Sequence, residues 1–161
     1  VQSTLEALSR GSKALDKAYD DAVKRIKGQL PEDRALATNI LSWITYAQRP
    51  LSTKEICHAL AVKLDEKELD LDNILDVEDI ISVSAGLVMV DEESDIIRLV
   101  HHTTQEYFQR TWTSWFPNAQ SYITEICVTY ILFDAFKTGY CRTDEEFEAR
   151  LRSHILYGYA A

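Results

Sequence analysis

The sequence predicts a mainly α-helical fold carrying one short β-hairpin, and three observations lead there. Apolar residues recur at helical spacing in segment after segment. The run LVMVDEESDIIRLV sets two short apolar strands about an acidic turn. Signatures of the type [ST]-x-x-[EQ], in which a hydroxyl and a carboxylate or amide satisfy free helix amides, open three of the helical segments.

Residues 12–27 place Leu15, Tyr19, Ala22, Val23 and Ile26 on one face of an amphipathic helix, ended by Gly28 and a turn around Pro31. A second helix over about 34–47 carries Leu36, Ile40, Leu41, Trp43, Ile44 and Ala47 and stops before Arg49-Pro50. Ser52-Thr53-Lys54-Glu55 is a capping box that starts a third helix bearing Ile56, Ala59 and Leu60. After an acidic linker, Leu75, Val77, Ile80, Ile81 and Ala85 outline a fourth helix, with Gly86 as its C-terminal stop. The hairpin follows, with no glycine in its turn.

A second box, Thr103-Thr104-Gln105-Glu106, begins the next helix and makes Thr103 its expected N-cap. An aromatic group of Trp112, Trp115 and Phe116 precedes Pro117, and a nearly all-apolar helix runs to about Phe136. A third box, Thr143-Asp144-Glu145-Glu146, opens a helix around Phe147 and Leu151. The chain stops at LYGYAA in mid-pattern, as a fragment of a longer protein is expected to do. Three helices, a hairpin and a helix across 34–110 is the order of a winged-helix domain. The expected organisation is an N-terminal helical segment (1–30), a winged-helix domain (31–112) and a C-terminal helical region (113–161). The first ten residues read as the end of a preceding helical domain.

Composition narrows the function classes. At 161 residues with 46% hydrophobic content, the chain can bury a core without disulfides or metal. Cys57, Cys127 and Cys141 are odd in number and unrelated in spacing, which argues against a disulfide framework or a zinc site and predicts a cytoplasmic setting. The longest apolar run, ICVTYILFDAF, is far shorter than the roughly 20 residues of a membrane span. The formal charge of −9 opposes binding to nucleic acid or anionic membrane, whose affinity comes from lysines and arginines neutralising phosphates. Between residues 65 and 95, a long series of Asp and Glu faces a single Lys67, so this acidic face suits a protein partner rather than a polyanion. The third helix of a DNA-reading winged helix enters the major groove; here that stretch, DNILDVEDIISVSAG, has no Lys or Arg.

No catalytic constellation is present in the sequence: it has no GxxxxGK[ST], GxSxG, HExxH or CxxC. Cys57 and His58 are helix neighbours whose side chains diverge by about 100°. The DEESD turn lacks the spacing and glycine of a calcium loop. Attention therefore falls on RLVHHTTQEYF, which puts His101 at a strand end immediately before a helix N-terminus, where free amides and the helix dipole favour an anion. The plain alternative is a histidine bonded to a local carbonyl.

Three stretches, SWITYAQRPLSTKEICHALAV, VEDIISVSAGLVMVDEESDIIRLVHHTTQEYF and AQSYITEICVTYILFD, resemble the segment that follows the nucleotide-binding core in fungal NACHT–ankyrin proteins. They are also similar to the winged-helix domain named after GPI inositol-deacylase-like proteins. The resemblance covers nearly the whole chain, most strongly from about 34 to 133. In the wider NACHT group the winged helix carries an H-x-[ST]-x-Q-E-[YF] pattern whose His contacts the β-phosphate of bound ADP. His101, Thr103, Gln105, Glu106 and Tyr107 match that pattern, with His102 on a variable position.

The resemblance implies a non-catalytic regulatory and scaffold module of a signalling ATPase, with ADP or ATP as the cofactor of the parent protein and none in this segment. It implies contact with the NACHT core and a C-terminal ankyrin array, and oligomerisation on activation. The chain itself lacks Walker motifs, so little ADP binding is expected in isolation. An acidic protein–protein adaptor without nucleotide sensing is the alternative, and a DNA-binding winged helix is the third.

Overall fold

The structure, a computed structural model, describes residues 2–161, with the side chains of residues 13–111 and 113–161. The expected chain-end stretch within the first ten residues, and the side chain of Trp112, therefore lie outside what is described. The elements run α1 (Gln2–Lys27), α2 (Pro31–Tyr46), β1 (Leu51–Ser52), α3 (Thr53–Ala61), α4 (Val77–Val83), β2 (Val88–Asp91), β3 (Ile96–Leu99), α5 (His102–Trp115), α6 (Ala119–Ile131), α7 (Asp144–Ser153) and α8 (Tyr157–Ala160). A 3₁₀ turn precedes α4 (Leu71–Asn73) and another follows α6 (Asp134–Phe136). The chain is mainly helical with a small antiparallel sheet, as the sequence predicts.

Helix α2 is the axis of the core. It packs against α1, α3, α4, α5, α6 and β3, and its Trp43 and Ile40 are fully buried. Trp43 meets Tyr122 of α6 and Tyr159 of α8 edge-on, with ring centroids 6.5 and 5.5 Å apart. Ile56, Ile80, Phe108 and Leu156 are also fully buried, one each from α3, α4, α5 and the turn before α8. Pro31 sits at the first turn of α2, with Glu32 and Asp33 beside it at the positive end of the helix dipole. The turn expected around Pro31 is instead a helix start, because proline's missing N–H costs nothing there.

The Ser52 capping box forms on both sides. Ser52 Oγ accepts from the Glu55 amide at 3.2 Å, and Glu55 Oε2 accepts from the Ser52 amide at 2.9 Å. Arg49 then clamps the same carboxylate at 2.7 and 3.1 Å. The third box forms with a shifted partner. Thr143 caps the Glu146 amide at 3.2 Å, but Glu146 reaches back to the amide of Arg142 at 2.7 Å.

Three expectations are corrected. The hairpin is part of a three-stranded sheet ordered β1-β3-β2, since Leu51 and Ser52 pair with Ile97 and Ile96. Two residues are too few for a periodic signal, and their pairing is set by contact with residues over forty positions away. Leu15 lies on the same face of α1 as Tyr19, Ala22 and Ile26 but is 42% exposed, because among the described residues burial of that face begins one turn later, at Tyr19. The apolar helix expected to reach Phe136 ends at Ile131; the chain turns there, and Phe136 stacks on Tyr157 at 5.0 Å.

At the end of α4, Ala85 and Gly86 both take positive φ (51° and 80°), turning the chain into β2. β2 and β3 then pair in register from Val88↔Leu99 to Asp91↔Ile96. Asp95, at φ 53°, supplies the left-handed residue that a glycine usually provides in such a turn.

Candidate functional site

The stretch singled out by sequence lies where the hairpin returns to the body of the domain. The Val100 amide donates to the Leu87 carbonyl at 3.0 Å, closing the base of the hairpin immediately before His101. His101 and His102 are both exposed, with their rings 6.3 Å apart. Helix α5 starts at His102, so His101 stands in the N-cap position and its carbonyl accepts from the Thr104 amide at 3.0 Å.

Thr103 is therefore not the N-cap, and the expected second capping box does not form. The physical reason is a competing partner: Thr103 Oγ1 and the Tyr19 hydroxyl lie 2.5 Å apart. Tyr107, four residues on, is buried and donates its hydroxyl to Asp20 Oδ1 at 2.5 Å. Burial, reinforced by that hydrogen bond to a carboxylate, pushes the Tyr107 phenol well above its ordinary range. Arg110, three residues further, meets Asp16 at 2.7 Å. One face of α5 is thus read by one face of α1.

The opposite side of the first turn is held by α2, where Gln105 Nε2 donates to the Thr45 carbonyl at 3.1 Å. Thr104 is fully buried. Within the pattern His101, Thr103, Gln105, Glu106 and Tyr107, the structure brings Thr103, Gln105 and Tyr107 into the fold and leaves His101 and Glu106 facing solvent. Among the described residues neither of those two side chains has a hydrogen-bond partner in the chain. A cleft of about 290 Å³ lies nearby, lined in part by Thr45, Arg49, Ile97, Arg98 and Gln105, but His101 does not line it. The contribution of Asp16, Tyr19 and Asp20 was invisible in the sequence, since these residues are more than eighty positions from their partners.

The surfaces that a DNA-reading winged helix presents to the duplex are acidic here. Helix α4 has Glu78 and Asp79 in its first turn and no basic residue in its last. At the wing tip, Asp91 Oδ1 accepts from the amides of Glu93 and Ser94, which hold its carboxyl below the usual carboxylate range. Among the described residues no group of three or more His, Cys, Asp or Glu is placed to hold a metal ion. All three cysteines are free, and among the described residues no helix is long and apolar enough to cross a membrane.

Helices α2 to α4, the hairpin with its closed base, and α5 have the order and pairing of a winged helix, and the family described as GPI inositol-deacylase, winged helix domain, matches residues 24–114, more than half of the chain. The chain belongs to this family. Comparison with curated proteins and with solved structures gives no match. The winged-helix match spans the last turn of α1 through almost all of α5, so it includes His101 and its neighbours. The Asp16, Tyr19 and Asp20 contacts come from the part of α1 that precedes it.

Proposed function

We propose that this winged-helix domain is a non-catalytic regulatory and scaffold module of a NACHT-type signalling ATPase, in which His101 contacts the phosphate of ADP held by the nucleotide-binding core. The observation that carries this reading is the exposure of His101 at the N-terminus of the 14-residue α5, while Thr103, Gln105 and Tyr107 of the same pattern are committed to the fold. His101 immediately precedes that first turn, whose free amides and dipole suit an anion.

Magnitude sets the role. A hydrogen bond to a charged group contributes about 1.5–3 kcal/mol, whereas moving a switch from 1:99 to 99:1 requires about 5.5 kcal/mol of differential affinity. His101 biases the ADP-bound resting arrangement, and apolar contact between the domain and the ATPase core supplies the rest. Exchange for ATP then releases the domain and permits oligomerisation. The C-terminal helices lead towards a repeat array.

The test is the ADP content of the NACHT-containing protein purified as wild type and as His101→Ala. Loss of most of the nucleotide in the variant supports the reading. Equal retention in both turns the balance to the second reading, a cytoplasmic protein–protein adaptor. That alternative is favoured by the exposed acidic residues of the stretch before α4 and of the wing turn.

A further inference from the structure

The hairpin has two roots, and α1 lies across both of them. At the entry, Arg25 Nη2 donates to the Ala85 carbonyl at 3.2 Å, and Gln29, just beyond the helix, donates to the Val83 carbonyl at 3.0 Å. These are carbonyls at the C-terminal end of α4, where a helix leaves acceptors unsatisfied and a cation is favoured. At the exit, Tyr19, Asp20 and Asp16 meet Thr103, Tyr107 and Arg110 along α5, and the Tyr19 and Tyr107 rings pack 5.3 Å apart. The Leu87–Val100 hydrogen bond joins the two roots to each other.

We infer that α1 is a strap whose seating sets the position of His101, so that movement of α1 reaches the phosphate-facing end of α5. The inference rests on the role proposed for His101. Three features make α1 suited to it. Its contacts with α5 include a row of directional polar bonds beside the apolar packing, and these register a shift that apolar contacts alone would absorb. They fall at positions 103, 107 and 110, one helical face from the first turn to the third. Thr103 is two residues from His101, and its hydroxyl is spent on Tyr19 rather than on capping its own helix. Lifting α1 would therefore leave the first turn of α5 without that partner, and would free the carbonyls of Val83 and Ala85 at the other root.

The test uses the 161-residue chain with Tyr19→Phe and Asp20→Asn, which keep side-chain volume, and the exchanged pair Asp16→Arg with Arg110→Asp. Amide hydrogen exchange and the imidazole resonances of His101 are read. The expected result is that Tyr19→Phe and Asp20→Asn together speed exchange over residues 102–107 by on the order of 5-fold or more, as loss of a hydrogen bond implies. The imidazole signals should shift, and rates in α3 should stay unchanged. Asp16→Arg alone should speed exchange around residue 110, and the exchanged pair should restore it. Unchanged rates in α5, or equal acceleration everywhere, overturns the strap.

The outcome is separable from the nucleotide reading. If α5 loosens locally while His101→Ala leaves ADP retention untouched, the strap stands and the nucleotide role falls. If His101→Ala releases ADP while the α1 variants change neither exchange nor retention, the reverse holds.

Discussion

Thr53 is bonded twice to Asp95: its amide donates to the Asp95 carbonyl at 3.0 Å, and its hydroxyl donates to Asp95 Oδ1 at 2.6 Å. This pair fastens the first residue of α3 to the last residue of the wing turn. It also holds Asp95 at a positive φ that an L side chain adopts at a cost. Thr53→Val keeps the shape and removes the hydroxyl. It should lower unfolding free energy by about 1–2 kcal/mol, measured by urea denaturation. A change within error would mean that the side-chain bond adds nothing beyond the backbone one.

Ala85 and Gly86 give opposite signs at adjacent positions. A side chain on Gly86 would meet nothing within 4 Å, so Gly86→Ala tests backbone strain alone and should cost about 1 kcal/mol. Ala85 already sits at φ 51°, so Ala85→Gly should be neutral or stabilising by up to about 1 kcal/mol. Thermal melts of the two variants should move in different directions from the wild type, or one of them not at all.

Glu55 supplies a pH dependence. Burial alone would raise its carboxyl, but hydrogen bonds from Arg49 and from the Ser52 amide and hydroxyl outweigh it and hold the group below its ordinary value. A depressed carboxyl stabilises the folded state above its unfolded value of about 4.3, and that increment is lost as pH falls through the folded value. Glu55→Gln should therefore be less stable than wild type at pH 7 by about 0.5–1 kcal/mol, a modest figure because Arg49 is 45% exposed. The gap should narrow as pH falls below about 4.3, as chemical unfolding across that range will show.

The cysteines should separate by reactivity. Burial first, then the nearby carboxylates of Asp76 and Asp95, push the Cys57 thiol up, so little thiolate forms there near neutral pH. Burial also raises Cys127. Titration with a disulfide reagent should modify Cys141 fastest and leave Cys57 until the chain unfolds; early labelling of Cys57 by mass spectrometry would contradict this.

Trp43 ties two helices to the core. It is 0% exposed and touches aromatic rings from both α6 and α8. Trp43→Ala should cost about 3–5 kcal/mol and loosen α8, whose Tyr159 would lose its packing partner. Exchange in α8 should rise more than in the hairpin.

The elements that were legible in the sequence are those whose causes are local. Ser52 and Glu55 are three residues apart and build their box from each other, so the start of α3 could be read directly. The hairpin shows as two apolar runs about a polar turn, and Val88–Asp91 and Ile96–Leu99 pair as those runs imply. The exposed position of His101 follows from a strand end meeting a helix start. The same local reasoning misplaced Thr103. Four residues with the right spacing can cap a helix, but a free energy of about 1 kcal/mol for a cap is easily redirected by another hydroxyl. That hydroxyl belongs to Tyr19, which no local window contains.

By itself the sequence determined the helical class, the order of helices and hairpin and the acidic charge. Each follows from periodicity, capping or charge within short windows; the family shows in the likeness of whole stretches instead. Only the tertiary structure decided that Leu51 and Ser52 are a third strand, that Leu15 is left exposed, and that α1 spans both roots of the wing. Those features depend on contacts between residues forty to ninety positions apart. Their free energies come from which surfaces meet, and a linear pattern carries no record of that.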